Sequence, residues 1–312
     1  MIYVVGHKNP DADSICSAIA YAELLRKKGY HSIAVRAGEL NKETIFALEY
    51  FGAEIPPKIP DKLSQDDVVY LVDHNEMSQM AECITEDVIV GIIDHHKLGG
   101  LKTPKPIFVR IEPLGSTCTI LSRVYREEGI EITRKIAGLL LTGILSDTVL
   151  FKSATTTSFD EEEAIRLSKI AETDIEQYGM ELLKKKSDIE DVSPKQILTR
   201  DFKEFDFSGH RVGISQVELV DMSLIEPKIG DIVEEMRKMV GEGYELIVFM
   251  VTDVIEEGSR LYVVGNSEAV ETFEEAFGGG LNEGYIYLKG VMSRKSQVVP
   301  PLERAFSKKG CK

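Results

Sequence analysis

The chain has 312 residues, 43% of them hydrophobic, so it is long enough to bury the core of one large domain or two ordinary ones. Its formal net charge of −15 argues against a nucleic acid partner, because affinity for phosphate backbones rests on Lys and Arg. The apolar runs are too short to span a bilayer and no signal peptide is recognisable, so we expect no membrane association and a cytoplasmic location.

The first half of the sequence alternates short apolar runs with helical patterns. Strands are predicted at residues 2–6, 31–37, 68–72, 88–93 and 107–111. Helices are predicted at residues 14–28, 42–51, 117–128, 134–146, 161–172 and 175–186. This alternation predicts an α/β fold whose N-terminal part is a doubly wound, mostly parallel sheet.

The pattern changes after a charged stretch at residues 184–195. Strands are predicted at residues 211–217, 245–252 and 260–264, and helices at 231–240 and 268–277. These elements indicate a smaller mixed α/β domain. We therefore expect an N-terminal domain at residues 1–187, a linker at 188–195 and a second domain at 196–312.

Polar clusters follow three of the predicted strands at the points where these strands end. Four of the six histidines fall in these clusters, which is difficult to assign to chance. The carboxyl ends of parallel strands form the ligand crevice of an open sheet, so the loops are expected to converge. A further carboxylate ends the apolar helix near residue 146. The side chains predicted to meet are His7, Asp11, Asp13, Asp73, His95, His96 and Asp147.

Each cluster also has an ordinary structural explanation when it is taken alone. Asp13 could cap the following helix, Asp73 could form a turn, and Asp147 could simply end its helix. Together, however, the side chains suffice for two cations about 3.5–4 Å apart that share a water and a carboxylate. Mixed imidazole and carboxylate ligands favour manganese, cobalt, iron or zinc over magnesium.

The cysteines are not expected to be ligands. Cys16, Cys83, Cys118 and Cys311 are widely spaced and form no CxxC pair. Reduced thiols are the simpler interpretation, with Cys16 and Cys118 on apolar helical faces and therefore in the core.

Five motifs carry a resemblance to a known family. They are GHKNPDADS at residues 6–14, DHN at 73–75, DHH at 94–96, SDT at 146–148 and VMSRKSQVVP at 291–300. The sequence closely resembles family II inorganic pyrophosphatases, the manganese-dependent members of the DHH phosphoesterase superfamily. The last motif is the most discriminating, since it marks the second domain of the pyrophosphatase type (DHHA2). The family usually has a lysine where Ser296 stands, so we expect no essential role for that position.

The resemblance implies a dinuclear metal centre with manganese, or alternatively cobalt or magnesium, and hydrolysis of pyrophosphate by a water that two ions activate. It also implies that His96 contacts the phosphate and allows for a homodimer. Lys203, Arg294 and Lys295 would bind the leaving phosphate from the second domain, which places the active site between the domains. The implied ligands are His7, Asp11, Asp73 and Asp147 for one ion, and Asp13, Asp73, His95 and Asp147 for the other.

Two other functions compete with this one. A phosphodiesterase or exopolyphosphatase of the same superfamily would use the same metals, but it should have a different second domain and a broader basic channel. The nuclease branch carries a glycine run followed by histidine, whereas Leu281 and Asn282 follow residues 278–280 here, and we interpret that run as a flexible turn. A metal- or nucleotide-sensing module should carry an added sensor domain, for which no stretch is left between residues 148 and 195.

Overall fold

A computed structural model describes residues 1–309 of the chain, which divide into two compact units, the first Met1–Lys185 and the second beginning at Lys186. The N-terminal unit is built on a five-stranded sheet of order β2-β1-β3-β4-β5, in which all neighbouring strands run parallel. Its strands are β1 (Ile2–Val5), β2 (Ser32–Val35), β3 (Val68–Val72), β4 (Ile89–Asp94) and β5 (Phe108–Ile111). Its helices are α1 (Ala12–Lys27), α2 (Lys42–Tyr50), α3 (Thr117–Glu127), α4 (Arg134–Asp147), α5 (Ser158–Ala171) and α6 (Ile175–Lys186), with a 3-10 turn at Met77–Gln79.

Successive residues of the strands face opposite sides of this sheet, and each side has its own core. Val4 and Val72 pack into a core with residues of α1, α3, α4 and α5. Val5 and Leu71 face the other side, where connecting segments that carry residues such as Met80 complete the core. The prediction of an α/β fold with a parallel sheet is therefore confirmed.

An unusual turn follows helix α4. Val149, Leu150 and Phe151 have φ values of 50°, 52° and 67°, in the left-handed region that residues with a side chain rarely occupy. Tertiary packing holds this turn, since a Cβ atom built on Gly179 would lie only 2.2 Å from Cδ2 of Leu150. No sequence pattern predicts three such residues in succession, with only Thr148 between them and Asp147.

The C-terminal unit contains a second five-stranded sheet, of order β10-β9-β8-β7-β6, in which only β7 and β8 run parallel. Its strands are β6 (Phe202–Phe207), β7 (His210–Leu219), β8 (Leu246–Asp253), β9 (Gly258–Gly265) and β10 (Tyr285–Lys289). Its helices are α7 (Pro194–Arg200), α8 (Ile229–Gly241), α9 (Ser267–Phe277) and α10 (Val299–Lys309). Short 3-10 turns lie at Met222–Leu224 and Glu226–Lys228, and a π-helical turn at Arg294–Val298.

Four elements of this unit lie outside the predicted ones, namely β6, β10, α7 and α10. The strands β6 and β10 are the edges of the sheet. Charged side chains interrupt the apolar pattern of β6, and β10 has only five residues, none of them buried. Helix α7 begins inside the charged stretch that was expected to be a linker. Ser193 and Gln196 form a capping box there, and Pro194 is the first helical residue rather than the end of a linker.

Candidate metal centre

The N-terminal sheet places three polar loops side by side. Strands β1, β3 and β4 are adjacent and parallel, so the residues that follow them emerge at one edge of the sheet. His7 follows β1 by two residues, Asp73 follows β3 directly, and His95 follows β4 directly. Helix α4 delivers Asp147 to the same place as its last residue. The convergence expected from the sequence is thus present in the fold.

Asp73 stands at the centre of the cluster and divides it into two groups of candidate ligands. Its Oδ2 lies 3.4 Å from Nε2 of His7, which is also 3.5 Å from Oδ2 of Asp11. Its Oδ1 lies 3.4 Å from Nε2 of His95, and that nitrogen is 3.4 Å from Oδ2 of Asp147. One group comprises His7, Asp11 and Asp73, the other Asp13, Asp73, His95 and Asp147, and within each the ligand atoms lie within 4.8 Å of one another. A third set of the same kind, Asp73, His95 and His96, overlaps the second group.

Asp73 adopts a strained backbone conformation. Its φ is 61°, in the left-handed region, although it lies directly after a buried strand. Its amide donates a 3.0 Å hydrogen bond to the carbonyl of Ile93 on the neighbouring strand. Strain of this kind persists only where the surroundings enforce it, and it is common at functional sites. Here it accompanies a carboxylate that is only 1% exposed and faces both ligand groups.

The N-terminus of helix α3 holds the carboxylate of Asp13. Oγ of Ser116 donates to Oδ1 of Asp13 at 2.6 Å, the amide of Thr117 donates to Oδ2 at 2.7 Å, and the amide of Cys118 donates to Oδ1 at 3.0 Å. Oγ1 of Thr117 also donates to Oδ1 of Asp73 at 3.1 Å. The free amides of a helix N-terminus favour a carboxylate, so this helix fixes one candidate ligand and touches a second.

Hydrogen bonds to the ring nitrogens orient both histidines of the DHH motif. Nδ1 of His95 donates to the carbonyl of Leu114 at 3.0 Å, because a carbonyl can only accept. The proton therefore sits on Nδ1, and Nε2 is the ring nitrogen that faces the cluster. Nδ1 of His96 lies 2.9 Å from Oδ1 of Asp94, whose Oδ2 accepts a 2.6 Å bond from Asn75. Asp94 thus contacts the ring of His96 and is not a member of the candidate ligand groups.

The electrostatics of the cluster favour cations. Burial alone would lower the pKa of His7, but the carboxylates of Asp11 and Asp73 outweigh it and raise this pKa to about 10. Burial raises the pKa of Asp13 to about 7, and the nearby charge of Asp73 adds to this effect. Several carboxylates are therefore crowded into a buried space, where a bound cation would relieve their repulsion.

The donor set fits divalent metal ions. It offers carboxylate oxygens and two imidazole nitrogens, a mixture that suits manganese. The nitrogen–oxygen distances of 3.4–3.5 Å exceed those of good hydrogen bonds, and they are the spacing expected of atoms that share a cation. His74 stays outside both groups: burial lowers its pKa to about 4, and its Nδ1 lies 2.9 Å from the carbonyl of Val72.

Two sequence-based interpretations need correction or refinement. Asp11, and not Asp13, caps helix α1, since Oδ1 of Asp11 accepts a 3.0 Å bond from the amide of Ser14. The glycine run at 278–280 begins with the residue that ends helix α9, where Gly278 has a φ of 69°. It therefore has a defined capping role.

The cysteines lie as expected within residues 1–309. Cys16 and Cys118 are fully buried in the core, and Cys83 is partly exposed. All three are free thiols, and Cys311 lies outside the described residues. Cys118 also lies next to the cluster of candidate ligands, because its backbone amide donates a hydrogen bond to Asp13.

The second unit contains the three cationic residues that the resemblance implicates. Lys203 is half-buried on strand β6, opposite Ile214 of β7. Arg294 is buried, and its guanidinium donates to the carbonyls of Asp201 and Ile214. Lys295 is exposed on the π-helical turn beside it. Two of the three therefore approach the same pair of strands, β6 and β7.

Two glutamines hold the loop that carries Arg294. Oε1 of Gln297 accepts hydrogen bonds from the amides of Met292 and Ser293, both at 2.9 Å. Gln216 donates to the carbonyl of Met292 at 2.9 Å and accepts from the amide of Arg294 at 3.2 Å. These contacts give the glutamine of the SRKSQ motif a physical role, since it clamps the backbone that precedes the cationic pair.

Comparisons with known proteins agree with this architecture. The model of the DHH family, N-terminal domain, matches residues 1–144, and the DHHA2 domain model matches residues 180–305. A protein of Methanothrix thermoacetophila named manganese-dependent inorganic pyrophosphatase is 48% identical over 98% of this chain and 99% of its own length. A protein of Methanocaldococcus jannaschii with the same name is 46% identical over 98% of this chain and 100% of its own length.

Solved structures give the same result. The crystal structure of a Methanococcus jannaschii protein, provisionally described as a family II inorganic pyrophosphatase, matches with a TM-score of 0.84 at 46% identity, over 98% of this chain and 99% of that one. An exopolyphosphatase-related protein of Bacteroides fragilis reaches a TM-score of 0.50 at 15% identity, over 99% of this chain and 92% of its own, and shares only the fold. The chain is thus a two-part DHH–DHHA2 protein. Within that class, it belongs to the family of manganese-dependent, or family II, inorganic pyrophosphatases.

The helices of residues 1–309 do not meet the requirements of a bilayer span. Each of them is too short or too polar to cross a membrane.

Proposed function

We propose that the protein hydrolyses inorganic pyrophosphate to two phosphates at the Asp73 cluster, with manganese as its metal. One observation carries the proposal: two groups of metal-ligand type share Asp73, which presents opposite oxygens to His7 and His95. Similarity over the full length to proteins named manganese-dependent inorganic pyrophosphatases supports the same reaction. Cobalt or magnesium would be alternative ions at the same residues.

The proposed ligand assignment follows the two groups. His7 and Asp11 would hold one ion, Asp13 and His95 the other, and Asp73 and Asp147 would bridge them. Asp147 lies in one group with Asp13 and His95, which supports its proposed contact with the ion that these two residues would hold. When bound, two such cations would lower the pKa of a water molecule and offset the charge on phosphate oxygens.

The remaining roles fall to side chains that bind and orient the substrate. His96 would contact the phosphate, because its Nδ1 is engaged by Asp94 and its Nε2 remains for a ligand. Lys203, Arg294 and Lys295 would neutralise the leaving phosphate, which is the main requirement of phosphoryl transfer. Either His96 or Lys203 would deliver a proton to the departing oxygen.

The proposed division of labour assigns metal binding to residues 1–187 and substrate binding to residues 196–312, with 188–195 between them. The boundary of the two compact units after Lys185 supports this assignment. The candidate ligands all precede residue 148, whereas the candidate cationic residues follow residue 200. We propose that the two parts close on a shared substrate, which would also exclude bulk water.

The net charge and the second domain favour pyrophosphate over a nucleic acid or a dinucleotide. A chain with a net charge of −15 is poorly suited to bind long polyanions. The DHHA2 match over residues 180–305 covers the part where a nuclease or a sensor would need a different domain. A cytoplasmic location is part of the same proposal, and the free thiols of Cys16, Cys83 and Cys118 support it.

A homodimer is proposed through strand β5. This strand is an edge of the N-terminal sheet, and its Phe108 and Val109 are 48% and 49% exposed. An open edge with apolar side chains is a template for pairing with another strand. Light scattering after size exclusion should give twice the chain mass for the wild type. It should give the mass of one chain for the variant in which Phe108 and Val109 are both changed to Lys. A wild-type monomer would contradict the proposed dimer.

The substrate is tested by measuring phosphate release from pyrophosphate, tripolyphosphate and a dinucleotide. Metal-stripped protein is refilled separately with manganese, cobalt and magnesium before each assay. We expect pyrophosphate to be cleaved far faster than the dinucleotide, with two phosphates released per molecule. Faster turnover of the dinucleotide would overturn the proposed function and favour a phosphodiesterase.

A further inference from the structure

The turn at residues 114–118 contacts three of the proposed metal ligands. Its first residue accepts the hydrogen bond of the His95 ring, and its last three residues donate to Asp13 and Asp73. The position of this backbone segment therefore fixes the direction in which three ligands point. Any residue that holds this turn in place therefore also affects the geometry of the metal site.

Asp160, near the start of helix α5, accepts hydrogen bonds from the 114–118 turn and from the residue after it. Its side chain is fully buried. Its two oxygens accept from the amide of Gly115 at 3.1 and 3.0 Å, and Oδ1 accepts from Oγ1 of Thr119 at 2.5 Å. Oδ2 also accepts from the amide and the hydroxyl of Thr157, at 2.8 and 2.7 Å. The carboxylate thus joins the start of α5 to the start of α3.

Gly115 permits this approach because it lacks a side chain. A Cβ atom at residue 115 would lie 2.7 Å from Cγ2 of Thr148 and 2.8 Å from Oδ2 of Asp160. Both distances are shorter than van der Waals contact, so the turn or the carboxylate would have to move. Asp160 and Gly115 therefore form one close contact, reached from two different segments of the chain.

We propose that Asp160 is a positioning residue for the metal centre, which holds the 114–118 turn so that Asp13, Asp73 and His95 point at the ions. The inference rests on the proposed function, because it takes these three residues to be ligands. A carboxylate suits the task, since it only accepts hydrogen bonds and every group that faces it donates one. Residues that orient metal ligands in this way typically change metal affinity by about 10- to 100-fold when they are replaced.

The helix cap that Asp160 also forms must be separated from this role. Thr157 and Asp160 make a capping box at the start of α5, which would stabilise the helix in any protein. Thr157→Ala removes the hydroxyl from the box but leaves the bonds from Asp160 to Gly115 and Thr119 in place. It is therefore the matched control for a purely structural role.

The test measures manganese binding to metal-stripped full-length protein by competition with a chelating dye. It also records the electron paramagnetic resonance spectrum of the loaded protein and the unfolding temperature of the stripped protein. Asp160→Asn places an amide donor against the N–H of Gly115 in either orientation of the new side chain, because that N–H donates to both oxygens of Asp160. Gly115→Ala disturbs the same contact independently. We expect both to weaken manganese affinity by about 10- to 100-fold and to alter the spectrum. Thr157→Ala should lower the unfolding temperature and leave affinity and spectrum unchanged.

The inference is overturned if Asp160→Asn and Gly115→Ala bind manganese as tightly as the wild type, or if Thr157→Ala weakens binding as much as they do. Should Asp160→Asn not fold, Gly115→Ala and Thr119→Val decide the question by the same measurements. Phosphate release by the wild type is recorded alongside. Failure of the wild type to cleave pyrophosphate would count against the proposed function, whereas unchanged affinity in the variants counts against Asp160 alone.

Discussion

The guanidinium of Arg294 lies against Asp201, with Nη2 donating a 2.8 Å hydrogen bond to the Asp201 carboxylate. Nη1 donates to the carbonyl of Asp201 at 2.5 Å and to that of Ile214 at 3.3 Å, so the cation also links the residue before β6 to strand β7. A planar fork with several donors can make these contacts at once, whereas the single ammonium of a lysine cannot. Arg294 is thus fixed before any substrate arrives.

Arg294→Ala should leave manganese binding unchanged, because the residue lies in the second unit and outside both ligand groups. It should raise KM for pyrophosphate and lower kcat, by about 100- to 1000-fold in kcat/KM, as expected when a charged donor to the phosphate is lost. Arg294→Lys should recover only part of the activity, since it keeps the charge without the fork. Steady-state kinetics beside metal analysis checks this prediction.

Arg237→Ala is the matched control, because Arg237 pairs with Glu234 on the exposed surface of α8 and should matter to neither measurement. Loss of bound manganese in Arg294→Ala would show that the second unit contributes to the metal site. Unchanged kinetics would remove Arg294 from the substrate-binding set.

Gly143→Ala should weaken both folding and manganese binding. A Cβ atom at this position of α4 would lie 2.4 Å from Sγ of Cys118 and 2.6 Å from Oδ1 of Asp13, so a proposed ligand would have to move. Gly138→Ala, in the same helix, would place its Cβ atom 2.2 Å from the ring of Phe51, away from the cluster.

Each of these two variants should lose about 1–3 kcal/mol of unfolding free energy, as overpacked cores do. Only Gly143→Ala should lower manganese affinity. Denaturant unfolding of the stripped proteins and metal titration of the folded ones separate the two effects. Equal affinities in both variants would mean that Asp13 is not a ligand.

A truncated protein of residues 1–185 should bind manganese and yet hydrolyse pyrophosphate poorly. The candidate ligands lie within this unit, which has cores of its own on both faces of its sheet. The candidate cationic residues are all removed. Metal content and phosphate release are measured on the same sample, and hydrolysis at the full rate would refute the shared use of the two units.

Much of the fold could be predicted because most of its helices and strands have a recognisable local pattern of apolar and polar residues. The buried strands of the N-terminal sheet are short apolar runs, and a polar loop follows each of β1, β3 and β4. Since parallel strands end at one edge, His7, Asp73 and His95 could be placed together without any knowledge of the contacts. The edge strand β6 shows no such pattern because charged residues interrupt its apolar ones, and β10 shows a weak one because it has only five residues, none of them buried.

The supporting contacts of the site could not be predicted, because they join distant segments. Ser116 and Asp160 carry the same signals as ordinary helix caps, and both do cap helices. Nothing local shows that Ser116 also holds Asp13, which is 103 residues away, or that Arg294 meets Asp201, which is 93 residues away. Such pairings depend on the packed structure.

The most direct test of the account is the manganese content and activity of Asp73→Ala beside His7→Gln. Asp73 faces both ligand groups, whereas His7 belongs to one. We expect the wild type to bind two manganese ions per chain, Asp73→Ala to lose metal from both sites together with all pyrophosphate hydrolysis, and His7→Gln to retain one tightly bound ion and some activity. Two tightly bound ions and undiminished phosphate release in Asp73→Ala would contradict the central claim.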